Sequence, residues 1–124
     1  MIIGTGIDII ELERLIKHVN EEKFLSRILT SGELSKFCKL SDKRKLEYLA
    51  GRFAIKEAFS KALGTGIGKQ FSFMDIQVSN EESGKPFIEV LNKSIISDST
   101  KIHVSISHCN KFVVGQVILE SLSS

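Results

Sequence analysis

Residues 52–68 read RFAIKEAFSKALGTGIG, a strong helix pattern that breaks on a run of glycines. At about 100° per residue, Leu46, Leu49, Ala50, Phe53 and Ala54 share one side of a helix that starts further upstream. Glu57 and Lys61 fall in the middle of that apolar arc, where a core belongs. As an i,i+4 pair with the acid first, they equally suit a surface helix. Against that stands the opposite side, covered by Tyr48, Ile55, Phe59, Ala62 and Leu63, which leaves little free surface. An enclosed carboxylate needs a partner, commonly a cation or a metal.

Downstream of this helix the pattern changes to sheet. Gly64 reads as the helix C-cap, and the glycines after it expose backbone amides to which a phosphate can come close. GTGIGK at 64–69 resembles a phosphate loop only superficially: it follows a helix rather than joining a strand to one, and Gln70 stands where a metal-binding hydroxyl belongs. Phe71, Phe73, Ile76 and Val78 predict an extended segment, residues 80–86 a turn, and residues 87–91 the returning strand of a hairpin. Residues 92–101 are polar and ambiguous, a short helix or a loop. In IHVSIS, residues 102–107, Ile102, Val104 and Ile106 face the core while His103, Ser105 and Ser107 line the other side. Residues 112–119 close the sheet.

Upstream, residues 1–10 alternate as a strand, with Ile3, Thr5, Ile7 and Ile9 on one face and Ile2, Gly4, Gly6, Asp8 and Ile10 on the other. Aspartate is disfavoured inside a strand. Two glycines precede it on its own face and leave room for a ligand to approach it closely; otherwise Asp8 sits at the strand end and caps the next helix. Residues 11–19 predict an amphipathic helix with Leu12, Leu15, Ile16 and Val19 inward and Arg14 and Lys17 outward. Asn20 reads as the cap of a second helix bearing Phe24, Leu25 and Ile28 inside and Lys23 and Arg27 on its surface. Thr30 and Glu33 have capping-box spacing, and residues 41–42 start the central helix.

A chain of 124 residues fits one domain, residues 1–124, with a single core. With 42 % hydrophobic and 26 % charged residues it is an ordinary globular composition, and its net charge of +2 is too slight to argue for nucleic acid or membrane binding. No apolar run reaches the length of a membrane span and no signal peptide is recognisable, so the expectation is a cytoplasmic protein. Cys38 and Cys109 show no metal or disulfide spacing and read as reduced thiols. The fold class is α+β, an antiparallel sheet packed against a long central helix. Asp8 and Glu57, with Lys61 one turn beyond, suit a hard cation such as magnesium, which takes few protein carboxylates and completes its shell with water and phosphate oxygens.

Taken together in this order, GIDIIELERL, EYLAGRFAIKEAFSKALGTGIG, SGKPFIEV and HVSISH resemble the holo-acyl-carrier-protein synthases, the small trimeric 4′-phosphopantetheinyl transferases. The resemblance covers nearly the whole chain and is specific in pairing Gly6, Ile7 and Asp8 with the KEAFSK run at 56–61. It implies an enzyme of fatty acid biosynthesis that moves phosphopantetheine from coenzyme A to a serine of apo-acyl carrier protein and releases adenosine 3′,5′-bisphosphate. It further implies Mg²⁺ held by Asp8 and Glu57 against the diphosphate, with Lys61 offsetting charge on the transferred phosphoryl group. The serine proton goes to Glu57 or to a water on the metal, and the sequence leaves both open. Arg52, Gly64, Gly66, Lys85, Pro86 and His103 match positions around the nucleotide. By the same resemblance the chain is a homotrimer with active sites between subunits, Asp8 and His103 coming from one chain and Glu57 and Lys61 from the next. The basic face of Arg14, Lys17, Lys23 and Arg27 then meets the acidic carrier protein; without that partner it is a solvated helix face. Cys109 departs from the acidic or hydroxyl residue common there in the family. The competing reading is a non-catalytic module using the basic face to hold an acidic protein or nucleic acid, and a third keeps the chemistry but changes the carrier.

Overall fold

The computed structural model describes residues 1–123. In chain order it runs β1 (Ile2–Glu11), a 3-10 helix (Leu12–His18), α1 (Glu22–Ile28), α2 (Ser31–Cys38) and α3 (Asp42–Leu63). A short 3-10 turn (Phe73–Asp75) then leads to β2 (Ile76–Asn80), β3 (Pro86–Val90), β4 (Thr100–His108) and β5 (Phe112–Ser121). β5 lies between β1 and β4 in an antiparallel three-stranded sheet, while β2 and β3 form a separate hairpin. The expected antiparallel sheet is thus two, with residues 91–99 turning between them.

α3 is nearly encircled, as its two apolar sides require. Leu49, Ala50 and Ala54 join Leu12, Leu15, Leu25, Ile28, Phe37 and Val113 in one cluster. Ile55, Ala58, Phe59 and Ala62 join Phe71, Ile76, Val78, Val117 and Leu119 in the other. Phe59 and Phe71 are fully buried, and truncating either to Ala would cost about 3–5 kcal/mol. The local signals hold at both ends: the Ser41 hydroxyl accepts from the Arg44 amide, and Gly64 closes the helix at φ 81°.

The sheet meets α3 through glycines. A Cβ on Gly4 would lie 2.1 Å from the Ala62 carbonyl oxygen, one on Gly6 1.8 Å from that of Ala58, and one on Gly115 2.9 Å from the Ala54 carbonyl carbon. Ala54, Ala58 and Ala62 recur every four residues and so form one stripe of α3. The room that Gly4 and Gly6 leave is therefore filled by the chain's own helix backbone and not kept for a ligand, which corrects the reading of those two glycines. The opposite face of β1 is open: Ile3, Ile7 and Ile9 are 55–60 % exposed.

The first helical segment differs from expectation. It is a 3-10 helix, with about three residues per turn, so Leu12, Leu15 and His18 line up and Ile16 turns outward to 57 % exposure. His18 takes the inward place and stacks on Phe24 at 4.3 Å. Glu21 rather than Asn20 occupies the N-cap of α1 and makes no side-chain cap bond. The capping box at α2 is present, with Thr30 Oγ1 accepting from the Glu33 amide and Glu33 Oε1 from the Thr30 amide. Cys38 and Cys109 are free and exposed. Among the described residues no helix is long and apolar enough to cross a membrane.

Candidate active site

Because Gly6 lets β1 lie against Ala58, Asp8 arrives beside the next turn of α3. Lys61 Nζ donates to Asp8 Oδ1 at 3.0 Å and to the Ile7 carbonyl at 3.0 Å. The Asp8 side chain is 15 % exposed and that of Lys61 51 %, so the pair opens to solvent on the lysine side. Asp8 Oδ2 is buried with no hydrogen-bond partner. Burial, and then the charge of Asp8, push the Glu57 carboxyl above its ordinary range, with Lys61 pulling the other way. Two carboxylates thus face one ammonium, and negative charge is left over. Among the described residues no cluster of three or more His, Cys, Asp or Glu forms a full metal cage. An unpartnered carboxylate oxygen on Asp8, beside Glu57 whose proton affinity the Asp8 charge raises, fits a hard divalent ion that keeps open positions for water and phosphate.

Asp8, Glu57 and Lys61 come together within a single chain. This corrects the expected division in which Asp8 and Glu57 belong to neighbouring subunits: β1 and α3 of one protomer pack directly on each other, so no second copy is needed to join them.

The chain matches the model of the 4′-phosphopantetheinyl transferase superfamily over residues 4–117. It is 54 % identical over 124 residues to the holo-[acyl-carrier-protein] synthase of Geobacillus sp. (strain WCH70), covering 99 % of this chain and all of that one. Among solved structures it superposes on a holo-(acyl-carrier-protein) synthase from Bacillus anthracis str. Ames in complex with CoA (3′,5′-ADP), with TM-score 0.87, 50 % identity and 98 % of each chain covered. The Helicobacter pylori holo-[acyl-carrier-protein] synthase in complex with coenzyme A gives TM-score 0.81 at 37 % identity, over 94 % of this chain and 99 % of that one. The chain belongs to the 4′-phosphopantetheinyl transferase superfamily.

In this transferase the remaining expected site residues are more scattered. Arg52 is 7 % exposed; it lies over the Tyr48 ring at 3.8 Å and donates to the Val78 carbonyl at 3.3 Å and to Asn80 Oδ1 at 2.8 Å. Asn80 Nδ2 in turn donates to the Gly84 carbonyl at 2.9 Å. Arg52 therefore steadies the turn that carries exposed Lys85 and half-buried Pro86, and its guanidinium faces the interior. The glycine loop departs from expectation too. The amides of Gly64, Thr65, Gly66 and Gly68 all donate to carbonyls of the chain itself, so they do not form a ready phosphate nest. What Gly64 and Gly66 offer is a left-handed backbone, at φ 81° and 67°, with no side chain in the way.

His103 lies on the outer face of the sheet, its Nε2 2.9 Å from Glu120 Oε1. It pairs across β5 with Ile118, whereas Asp8 pairs with Gly115, so within one chain His103 stands apart from the carboxylates. Beyond Asp8 a groove of about 790 Å³ runs past Ile10, Arg14, Lys17, His18, Phe24 and Phe53. It puts two of the four basic residues within reach of the Asp8 end of β1.

Sequence reasoning passed over Glu33 and Lys56. They form a fully buried ion pair at 2.6 Å, with side chains 1 % and 0 % exposed. Glu33 was legible only as a cap, and Lys56 only as a letter of a motif. A second groove of about 440 Å³ brings Lys43 and Glu47 of α3 to His108 and Cys109. Lys43 was hidden in the charge run DKRK, which reads as an ordinary solvated helix start.

Proposed function

We propose that this chain transfers the 4′-phosphopantetheine group from coenzyme A to a serine of apo-acyl carrier protein, in the service of fatty acid biosynthesis. The observation that carries this is the convergence of Asp8, Glu57 and Lys61 at one solvent-facing end of α3, in a chain that matches the holo-acyl-carrier-protein synthases over its whole length. A serine oxygen–phosphorus bond forms while the phosphorus–oxygen bond to adenosine 3′,5′-bisphosphate breaks. Asp8 and Glu57 would hold Mg²⁺, which when bound neutralises charge on the diphosphate and on the leaving group. Lys61, half exposed, would offset charge on the transferred phosphoryl group. Glu57 or a water at the ion would take the serine proton.

Lys85 at the hairpin turn, buttressed through Asn80 by Arg52, and the open backbone of residues 64–66 suit the nucleotide end of coenzyme A. The exposed side chains of Arg14, Lys17, Lys23 and Arg27, beside a groove that Glu11 and Glu13 also line, suit an acidic carrier protein. The exposed row of Ile3, Ile7 and Ile9 is apolar surface that a homotrimer would cover, and His103 on the same sheet face would then reach a neighbour's site. The test is to incubate the protein with coenzyme A, Mg²⁺ and apo-carrier and weigh the carrier by mass spectrometry. A gain of one phosphopantetheine, lost in Glu57→Gln with the circular dichroism of the fold unchanged, is the expected result. No gain would leave the non-catalytic binding module as the better reading.

A further inference from the structure

The buried pair of Glu33 and Lys56 has no part in the chemistry above, and its wiring is specific. Lys56 Nζ donates to Glu33 Oε1 at 2.6 Å, to the Ile28 carbonyl at 2.8 Å and to the Phe73 carbonyl at 2.9 Å, so all three ammonium protons are used. Glu33 answers with both oxygens: Oε1 also accepts the Thr30 amide at 2.9 Å, and Oε2 accepts the Val78 amide at 2.7 Å. A buried ion pair is a poor way to gain stability, because well-packed apolar residues often do as well. What this one supplies is geometry. Ile28 is the last residue of α1, and its carbonyl is one of those a helix end leaves without an internal partner. Lys56 takes that carbonyl and ties α1 to α3 one residue before Glu57. Successive helix residues point about 100° apart, so this single turn of α3 carries α1 on one side and faces Asp8 on the other.

We propose that Lys56, held by Glu33, is a positioning residue for the acceptor: it sets the distance between the basic helix α1, with Lys23 and Arg27, and the Asp8–Glu57 end of α3. The inference rests on α1 being part of the carrier-docking face proposed above. A misplacement of about 1 Å at a reacting serine can cost up to about 100-fold in rate. The coenzyme A side relies on the hairpin turn and the residue 64–66 loop; Glu33 also holds strand β2 of that hairpin through the Val78 amide, a bond that a glutamine oxygen at position 33 can still accept.

The experiment compares wild type with the double variant Glu33→Gln/Lys56→Met, which removes both charges of the pair together and leaves Arg52 its neutral partners Val78 and Asn80. Steady-state kinetics are measured with carrier and coenzyme A varied in turn. The expected result is a fall in kcat/KM for the carrier of about 10- to 100-fold, with the KM for coenzyme A within about twofold of wild type. Equal changes for both substrates, or no change, would overturn the proposal. Arg27→Glu is run alongside: if it leaves the carrier KM unaltered, the docking face is wrong, whereas an effect of Arg27→Glu with none from the double variant refutes the positioning role alone. Should the double variant not fold, native-state hydrogen exchange on wild type decides. Amides 25–28 exchanging together with amides 52–56 support the tie, and amides 25–28 exchanging about 100-fold faster overturn it.

Discussion

Replacing Gly6 by alanine probes the contact on which the site depends. The added Cβ would stand 1.8 Å from the Ala58 carbonyl oxygen and 2.8 Å from both the Ala58 carbonyl carbon and the Ala62 amide nitrogen. All three are helix backbone, so no side chain can swing aside. Reaching even 3.0 Å requires β1 and α3 to part by about 1.2 Å, more than a packed core absorbs without loss. Overpacking of this kind typically costs about 1–3 kcal/mol, and a backbone clash belongs at or beyond the upper end. For a chain of this size about 3 kcal/mol lowers Tm by roughly 10 °C. The same opening shifts Asp8 on β1 relative to Glu57 and Lys61 on α3. Thermal unfolding and the carrier mass assay should therefore fail together in Gly6→Ala. Gly68→Ala is the control, because nothing lies within 4 Å of its Cβ and its φ is not in the left-handed region; it should keep Tm within about 2 °C. A Gly6→Ala protein with wild-type Tm and activity would refute the close-packing argument.

Other consequences are equally direct. Asp8→Asn removes a charge that raises the Glu57 pKa, so a carbon-13 carboxyl titration by NMR should show the Glu57 midpoint move down toward its ordinary 4.5. Because the folded protein holds the Glu57 proton more tightly than the unfolded chain, this group's contribution to stability falls as pH rises from about 4.5 through the raised folded value. Glu57→Gln should flatten that slope in urea unfolding run over the same pH range. Ile7→Glu puts a charge into the exposed isoleucine row, and sedimentation should show a smaller species than wild type while the circular dichroism stays native. Arg14→Glu should slow association with the carrier several-fold and leave coenzyme A binding alone, and added salt should shrink the difference. Stopped-flow mixing at two ionic strengths reads both.

Residue pattern alone determined the elements that answer to near neighbours. The capping box of Thr30 and Glu33, the Ser41 start, the Gly64 stop and the alternation of β4 all depend on groups within a few residues, and each is present. Asp8, Glu57 and Lys61 were also legible, since charges on apolar arcs and strands are conspicuous wherever they occur. Tertiary structure decided everything that depends on which distant segment fills a given space. Gly4 and Gly6 looked like room for a ligand and proved to be room for a helix, because a missing Cβ does not say what replaces it. Ile16 turned outward because the segment wound to three residues per turn, a choice its own apolar spacing did not dictate. Glu33 and Lys56, separated by two helix ends and a turn, found each other only once burial left each no cheaper partner. Asp8 joined Lys61 inside one chain for the same reason: a strand that can lie flush on a helix backbone brings its own carboxylate to that helix before any second copy arrives.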